Sequence, residues 1–302
     1  LRAALETGGR PASRRIDHLR RLAATLDARR NMLLGPISPV LLWGTQIAFA
    51  VERWRSETGG SIGGWLDAVG EFEALASLAG FAFENPEDVF PDLVDEGPRF
   101  EAEGLAHPLL ARSAVRNDVS LGGGHRLLVI SGSNMSGKST LLRAVGTSIV
   151  LAQSGGTVRA RRLLLSPLSV GATLRVQDSL KDGKSRFFAE ILRLRRVLDL
   201  AKGPRGLLFL LDEILAGTNS HDRRLGAEAV VMGLVERGAI GLVTTHDLAL
   251  AEITERLNGQ AENVHFADHL EDGQMRFDYT MRPGVVNHSN ALALMRSVGL
   301  DV

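Results

Sequence analysis

The segment RLLVISGSNMSGKSTLL, residues 126–142, constrains the fold of this chain more than any other. An apolar run with strand character, Leu127 to Ile130 and then Ser131, feeds a glycine-rich loop, and a helical pattern begins at Lys138. The loop fits G-x-x-x-x-G-K-S/T without a mismatch. In such a loop two glycines let the backbone wrap a phosphate chain with its N–H groups pointing inward. The helix N-terminus adds partial positive charge, the lysine reaches the β- and γ-phosphates, and the hydroxyl after it binds Mg²⁺. The expected nucleotide-holding residues are therefore Gly132, Ser133, Asn134, Met135, Ser136, Gly137, Lys138, Ser139 and Thr140, with Ser139 also a metal ligand. A chance glycine-rich turn would not need to fall between a strand and a helix, as this one does.

Among its 302 residues 44% are hydrophobic and 23% charged, enough apolar material for one large domain or two ordinary ones. Formal net charge is zero, so any surface for nucleic acid must be local. Without cysteine there are no disulfides, thiolate metal sites or cysteine nucleophiles. A reducing, cytoplasmic setting fits that usage. The sequence opens on Leu1 with no signal-peptide pattern, and a piece of something longer is expected.

Taken in order, residues 1–98 read as a helical subdomain and residues 99–302 as α/β. Ile16, Leu19, Leu22 and Leu26 mark an amphipathic helix over 13–30. Its arginines suit DNA or an acidic membrane surface, or simply a solvated helix face. Residues 32–51 are uncharged, but Pro36 and Pro39 divide them, which favours a buried or interfacial helix over 40–55 rather than a membrane span. Glycines at 59–64 precede a second helix over 65–81, expected to pack antiparallel on the first as a lever. Beyond residue 100, short apolar runs alternate with helices. Strands are expected at 119–121 and 126–130 as a hairpin, then at 161–165, 173–176, 207–211 and 240–244. A hairpin over 264–266 and 275–279 turns at Asp272-Gly273. Helices fall at 141–153, 187–200, 225–236, 248–257 and 289–298.

Leu207 to Leu211 runs into Asp212 and Glu213. At a strand end Asp212 can hold the Mg²⁺ that Ser139 binds, and Glu213 can deprotonate a water attacking the γ-phosphate. Acids at strand ends are common; following a phosphate loop within an α/β pattern gives this pair its meaning. His246 ends the next strand, placed either to contact the γ-phosphate or to open a helix beside a capping Asp247. The other histidines show no metal-ligand spacing.

SGSNMSGKSTLLR, with Asn134-Met135, resembles the nucleotide loop of the MutS family. Residues 178–190 are similar to its signature loop and helix, and Gly217 to Asp222 to its dimer-interface loop. Thr245-His246 and the segment from Pro283-Gly284 to Gly299 also fit. The likeness is close over about residues 100–302 and looser over 13–90. It implies a P-loop NTPase of ABC type that hydrolyses ATP with Mg²⁺ as a composite homodimer, with Ser185 facing the partner's γ-phosphate. Lys138, Glu213 and His246 become its catalytic residues. Two departures stand out. Arg186 replaces the threonine common in mismatch-recognising members, and Ala114-Val115-Arg116 stands where an aromatic often stacks on adenine. The Phe-x-Glu probe of mismatch readers occurs only as Phe188-Ala189-Glu190, inside the signature helix.

The resemblance implies a DNA-acting ATPase that switches a helical clamp, in mismatch repair or related DNA processing. The alternative is an ATP-gated dimerising switch with a protein or membrane partner. A transporter or SMC-type ATPase would carry Leu-Ser-Gly-Gly before the Asp212 strand, and none occurs.

Overall fold

The computed structural model describes residues 2–7, 9–27, 42–174, 186–215, 217–246, 251–271 and 274–286. Expectations for Ser185, Asp247, the Asp272-Gly273 turn and the helix over 289–298 lie outside them. The chain forms two compact units, Leu1–Gly80 and Phe81–Val302.

In the first unit a short antiparallel pair, β1 (Glu6–Thr7) with β2 (Arg10–Pro11), precedes α1 (Ala12–Asp27). The unit is therefore mainly rather than wholly helical. α2 (Trp43–Thr58) and α3 (Ile62–Glu84) follow, joined by a 3₁₀ turn at Gly59–Ser61. The antiparallel partner of α2 is α1, not α3 as expected. Two indoles explain it: Trp43 Nε1 donates to the Thr25 carbonyl at 3.1 Å, and Trp54 Nε1 to that of Arg15 at 2.7 Å. Among the described residues no helix is long and apolar enough to cross a membrane.

The second unit begins before residue 99, because residues 81–98 are already bonded into it. Val89 exchanges hydrogen bonds with Val158, and β3 (Asp92–Leu93) pairs with β7 (Arg162–Leu165). β7 also pairs with β4 (Phe100–Leu105), and β4 with β5 (Asn117–Leu121), giving a four-stranded sheet in the order β3-β7-β4-β5.

The central sheet has six strands, in the order β12-β11-β6-β10-β9-β8. They are β6 (Leu127–Gly132), β8 (Leu168–Ala172), β9 (Gly206–Asp212), β10 (Ile240–Thr245), β11 (Ala261–Glu271) and β12 (Gln274–Pro283). Neighbours pair in parallel except β11 with β12. Of the strand expected at 173–176, residues 173 and 174 are described, and they lie just beyond β8 rather than in a strand. The expected 119–130 hairpin exists only as a turn, in which Gly122 and His125 exchange backbone bonds at 2.7 and 3.0 Å. Its strands part into different sheets because every residue of β6 is buried between two parallel neighbours.

Alternation along β6 and β9 feeds two cores. Leu128, Ile130, Leu208 and Leu210 pack with Leu142, Val145 and Ile149 of α4 (Lys138–Gln153) and with the four-stranded sheet. Leu127, Val129, Phe209 and Leu211 pack with Leu194 and Val197 of α5 (Arg186–Leu200) and Val231 and Leu234 of α6 (Ser220–Glu236). Of the helix expected at 248–257, the described residues hold α7 (Ile253–Arg256). With both faces covered, the carboxyl ends of β6, β9 and β10 meet at one edge.

Candidate functional site

That edge carries the loop. Gly132 at φ 144° and Gly137 at φ 110° adopt the positive angles that favour glycine. A Cβ on Gly132 would stand 2.8 Å from the Phe266 carbonyl oxygen and 3.0 Å from Ser136 Oγ, so no side chain fits there. Met135 also has positive φ, and its side chain is exposed. The Ser133 and Ser136 hydroxyls are shielded from solvent and have no hydrogen-bond partner among the described residues. Buried polar atoms are normally satisfied, so this cradle suits a ligand rich in acceptor oxygens.

Lys138 opens α4 with its side chain only 4% exposed. Its Nζ donates to the carbonyls of Gly132 and Ser133, each at 2.8 Å, and stands 3.6 Å from Glu213 Oε1. Burial pushes this ammonium below the usual lysine range, while Glu213 and then Asp212 pull it partly back.

Asp212 ends β9 and gathers two hydroxyls from the neighbouring elements. Ser139 Oγ lies 3.0 Å from Asp212 Oδ1, and Thr244 Oγ1 donates to the same oxygen at 2.6 Å. A serine oxygen beside a carboxylate is the hard donor set that Mg²⁺ takes, completed by water and phosphate oxygens. Among the described residues no group of three or more acids or histidines offers an all-protein metal cage.

Glu213 sits at φ 46° and Leu215 at φ 58°, two strained positions around Ile214. The Glu213 N–H donates to Thr244 Oγ1 at 3.0 Å, and the Leu215 N–H to Glu190 Oε1 at 2.5 Å. Glu190, within the signature helix, thus braces the loop that presents Glu213. Asn219 caps α6 by accepting from the Asp222 N–H at 2.9 Å, an interaction worth about 1 kcal/mol. Glu213 Oε2 faces His246 Nδ1 at 3.8 Å, and the far nitrogen of that ring lies 3.4 Å from Arg223 Nη1.

The structure thus brings Gly132, Ser133, Ser136, Gly137, Lys138, Ser139, Asp212, Glu213 and His246 to one place, whereas Asn134 and Met135 stand exposed at the loop's rim. Beside the loop opens a cavity of about 560 Å³, lined by Thr140, Gly137, Val115, Phe266, Tyr279 and His107 among others. Burial, with Arg143 and Arg159 nearby, holds the His107 imidazole below its ordinary pKa and so favours its neutral form. Sequence reasoning missed Thr244, Glu190 and Tyr279. The Thr244-Thr245 pair at a strand end next to β9 was a usable signal; nothing local pointed to Tyr279.

The profile of MutS domain V matches residues 128–301, more than half of the chain. Endonuclease MutS2 of Thermus thermophilus is 35% identical over 212 residues, 68% of this chain and 27% of the relative. DNA mismatch repair protein MutS of Natronomonas pharaonis is 35% identical over 239 residues, 77% of this chain and 27% of that protein. DNA mismatch repair protein MSH6 of Arabidopsis thaliana is 30% identical over 270 residues, 82% and 20% of the two. The chain spans about a quarter of the length of these relatives. A phosphate-loop geometry on a mostly parallel sheet and a domain match that runs from β6 almost to the C-terminus agree: the chain belongs to the MutS family and carries its domain V.

Proposed function

We propose that this chain binds ATP with Mg²⁺ at the 132–140 loop, hydrolyses it, and serves DNA mismatch repair or related DNA processing. The observation that carries the nucleotide reading is the meeting of Ser139 Oγ with Asp212 Oδ1 at 3.0 Å across 73 residues of sequence, beside a buried lysine. The DNA reading rests on the relatives, two of which are named for mismatch repair.

Each residue then has a task. The 132–137 backbone and the Ser133 and Ser136 hydroxyls donate to phosphate oxygens. Lys138 exchanges its carbonyl partners for the phosphates and stabilises the charge that builds on them. Ser139 and Asp212 would hold Mg²⁺, which when bound supplies further neutralisation of that charge. Glu213 accepts the proton of the attacking water, its carboxylate steadied between Lys138 and His246. The cavity beside the loop receives the base, with Tyr279 as the aromatic wall that Ala114-Val115-Arg116 does not provide.

Hydrolysis is proposed at a composite site in a two-fold dimer, with Ser185 serving the partner's nucleotide. Mixing Lys138→Ala with Ser185→Arg chains tests this. Each variant alone is expected to be inactive, while the mixture recovers part of the ATPase activity, because one site of the heterodimer carries both defects and the other neither. A mixture as inactive as its parts would exclude the composite arrangement.

A further inference from the structure

β12 is not a regular strand where it passes the phosphate loop. Phe266 pairs with Met281 and Asp268 with Phe277, so Ala267 alone on β11 faces Asp278, Tyr279 and Thr280 on β12. Such a bulge re-aims a side chain, and bulges gather next to functional sites. Tyr279 takes φ 55°, an angle that a bulky residue keeps only where its surroundings impose it.

Local contacts shape the bulge from within: the Thr280 N–H donates to Asp278 Oδ1 at 3.0 Å, and Arg282 pairs with Asp278. The long-range hold comes from Asn117, the first residue of β5, 162 positions away from Tyr279. Its Nδ2 donates to the Tyr279 carbonyl at 3.0 Å, and its Oδ1 accepts from the Met281 N–H at 2.7 Å. The orientation of the amide is fixed, because a carbonyl only accepts and a backbone N–H only donates. The asparagine amide offers both functions from one short planar group, so alanine at this position loses both bonds. Held in this way, the Tyr279 ring lies against the loop: a Cβ on Gly137 would sit 3.4 Å from Tyr279 Cδ1. Phe277 flanks it, with ring centroids 6.1 Å apart.

We propose that Asn117 is a positioning residue that acts through Tyr279. By clamping the bulge it holds the ring as a wall of the cavity, and so makes the site prefer a nucleotide over bare polyphosphate. The ligand in this statement rests on the ATP reading above; the clamp itself does not.

Tyr279 is the one tyrosine of the chain, so tyrosine labelled only at its ε ring positions gives a single NMR signal without assignment. In the wild type ATP is expected to shift that signal strongly by its ring current, and inorganic tripolyphosphate only weakly. In Asn117→Ala the signal of the ligand-free chain moves, and ATP no longer shifts it strongly. Titration calorimetry should then show ATP affinity about tenfold lower in Asn117→Ala and in Tyr279→Ala, the scale of one base–aromatic stack, with tripolyphosphate affinity unchanged in both. The double variant should lose no more than Tyr279→Ala alone, since the first residue works through the second. Retained tripolyphosphate binding also shows that the variants are folded. Equal losses for both ligands, losses that add in the double variant, or an Asn117→Ala chain that behaves as wild type would each overturn the inference alone. A wild type that binds neither ligand would overturn the ATP reading, and the inference with it.

Discussion

Lys138→Ala is expected to lower ATP turnover at least about a hundredfold, the scale for losing one buried donor to a charged transition state. The ammonium is 4% exposed, bonded to the Gly132 and Ser133 carbonyls, and paired with Glu213 at 3.6 Å. It belongs to no hydrophobic cluster, so its loss removes charge rather than packing. Burial disfavours its charged form, which makes it a cost to the empty fold that a phosphate chain would offset. Thermal unfolding of ligand-free Lys138→Met, which keeps the volume, should therefore give a midpoint equal to or above that of wild type. Unchanged turnover would remove Lys138 from the site. A large fall in the midpoint would show that the lysine is mainly structural.

Glu213→Gln should separate binding from chemistry. The Glu213 backbone is fixed by two bonds to Thr244, through the hydroxyl at 3.0 Å and the carbonyl at 3.3 Å, so the strained φ of 46° should survive the substitution. The amide fills the same space and cannot take a proton. ATP·Mg²⁺ affinity is expected to stay within about twofold, while single-turnover hydrolysis slows by about a hundredfold or more, the usual range for a lost general base. Asp212→Asn should act differently. Asp212 Oδ1 already accepts from Ser139 and Thr244, so removing its charge weakens the Mg²⁺ dependence of binding. Identical behaviour of the two variants would show that the division of labour between them is wrong.

What could be read from the residues alone follows from how local each determinant is. The phosphate loop was legible because strand, glycines, lysine and helix start are contiguous. Asp212 and Glu213 were legible because a both-sides-buried strand such as β9 shows as an unbroken apolar run. Sheet membership was not. Gly122 to His125 encodes a turn, yet nothing within it says that β5 and β6 go to separate sheets; burial of β6 between β10 and β11 decides that. The pairing of α2 with α1 depends on where two indole N–H groups find carbonyls, which hydrophobic spacing does not record. Tyr279 was invisible for the same reason. Its place depends on a bulge in β12 and on an asparagine in another sheet. Asn117 directly follows Ala114-Val115-Arg116, where no aromatic stands, yet it holds the aromatic that is present.

ATP binding at the 132–140 loop is measured by calorimetric titration of ATP into the 302-residue chain, with Mg²⁺ and again with EDTA. The expected result is one ATP per chain, an affinity at least about tenfold weaker when Mg²⁺ is withdrawn from Ser139 and Asp212, and no measurable binding to Lys138→Ala. No heat from the wild type with Mg²⁺, or the same affinity in Lys138→Ala, would contradict it.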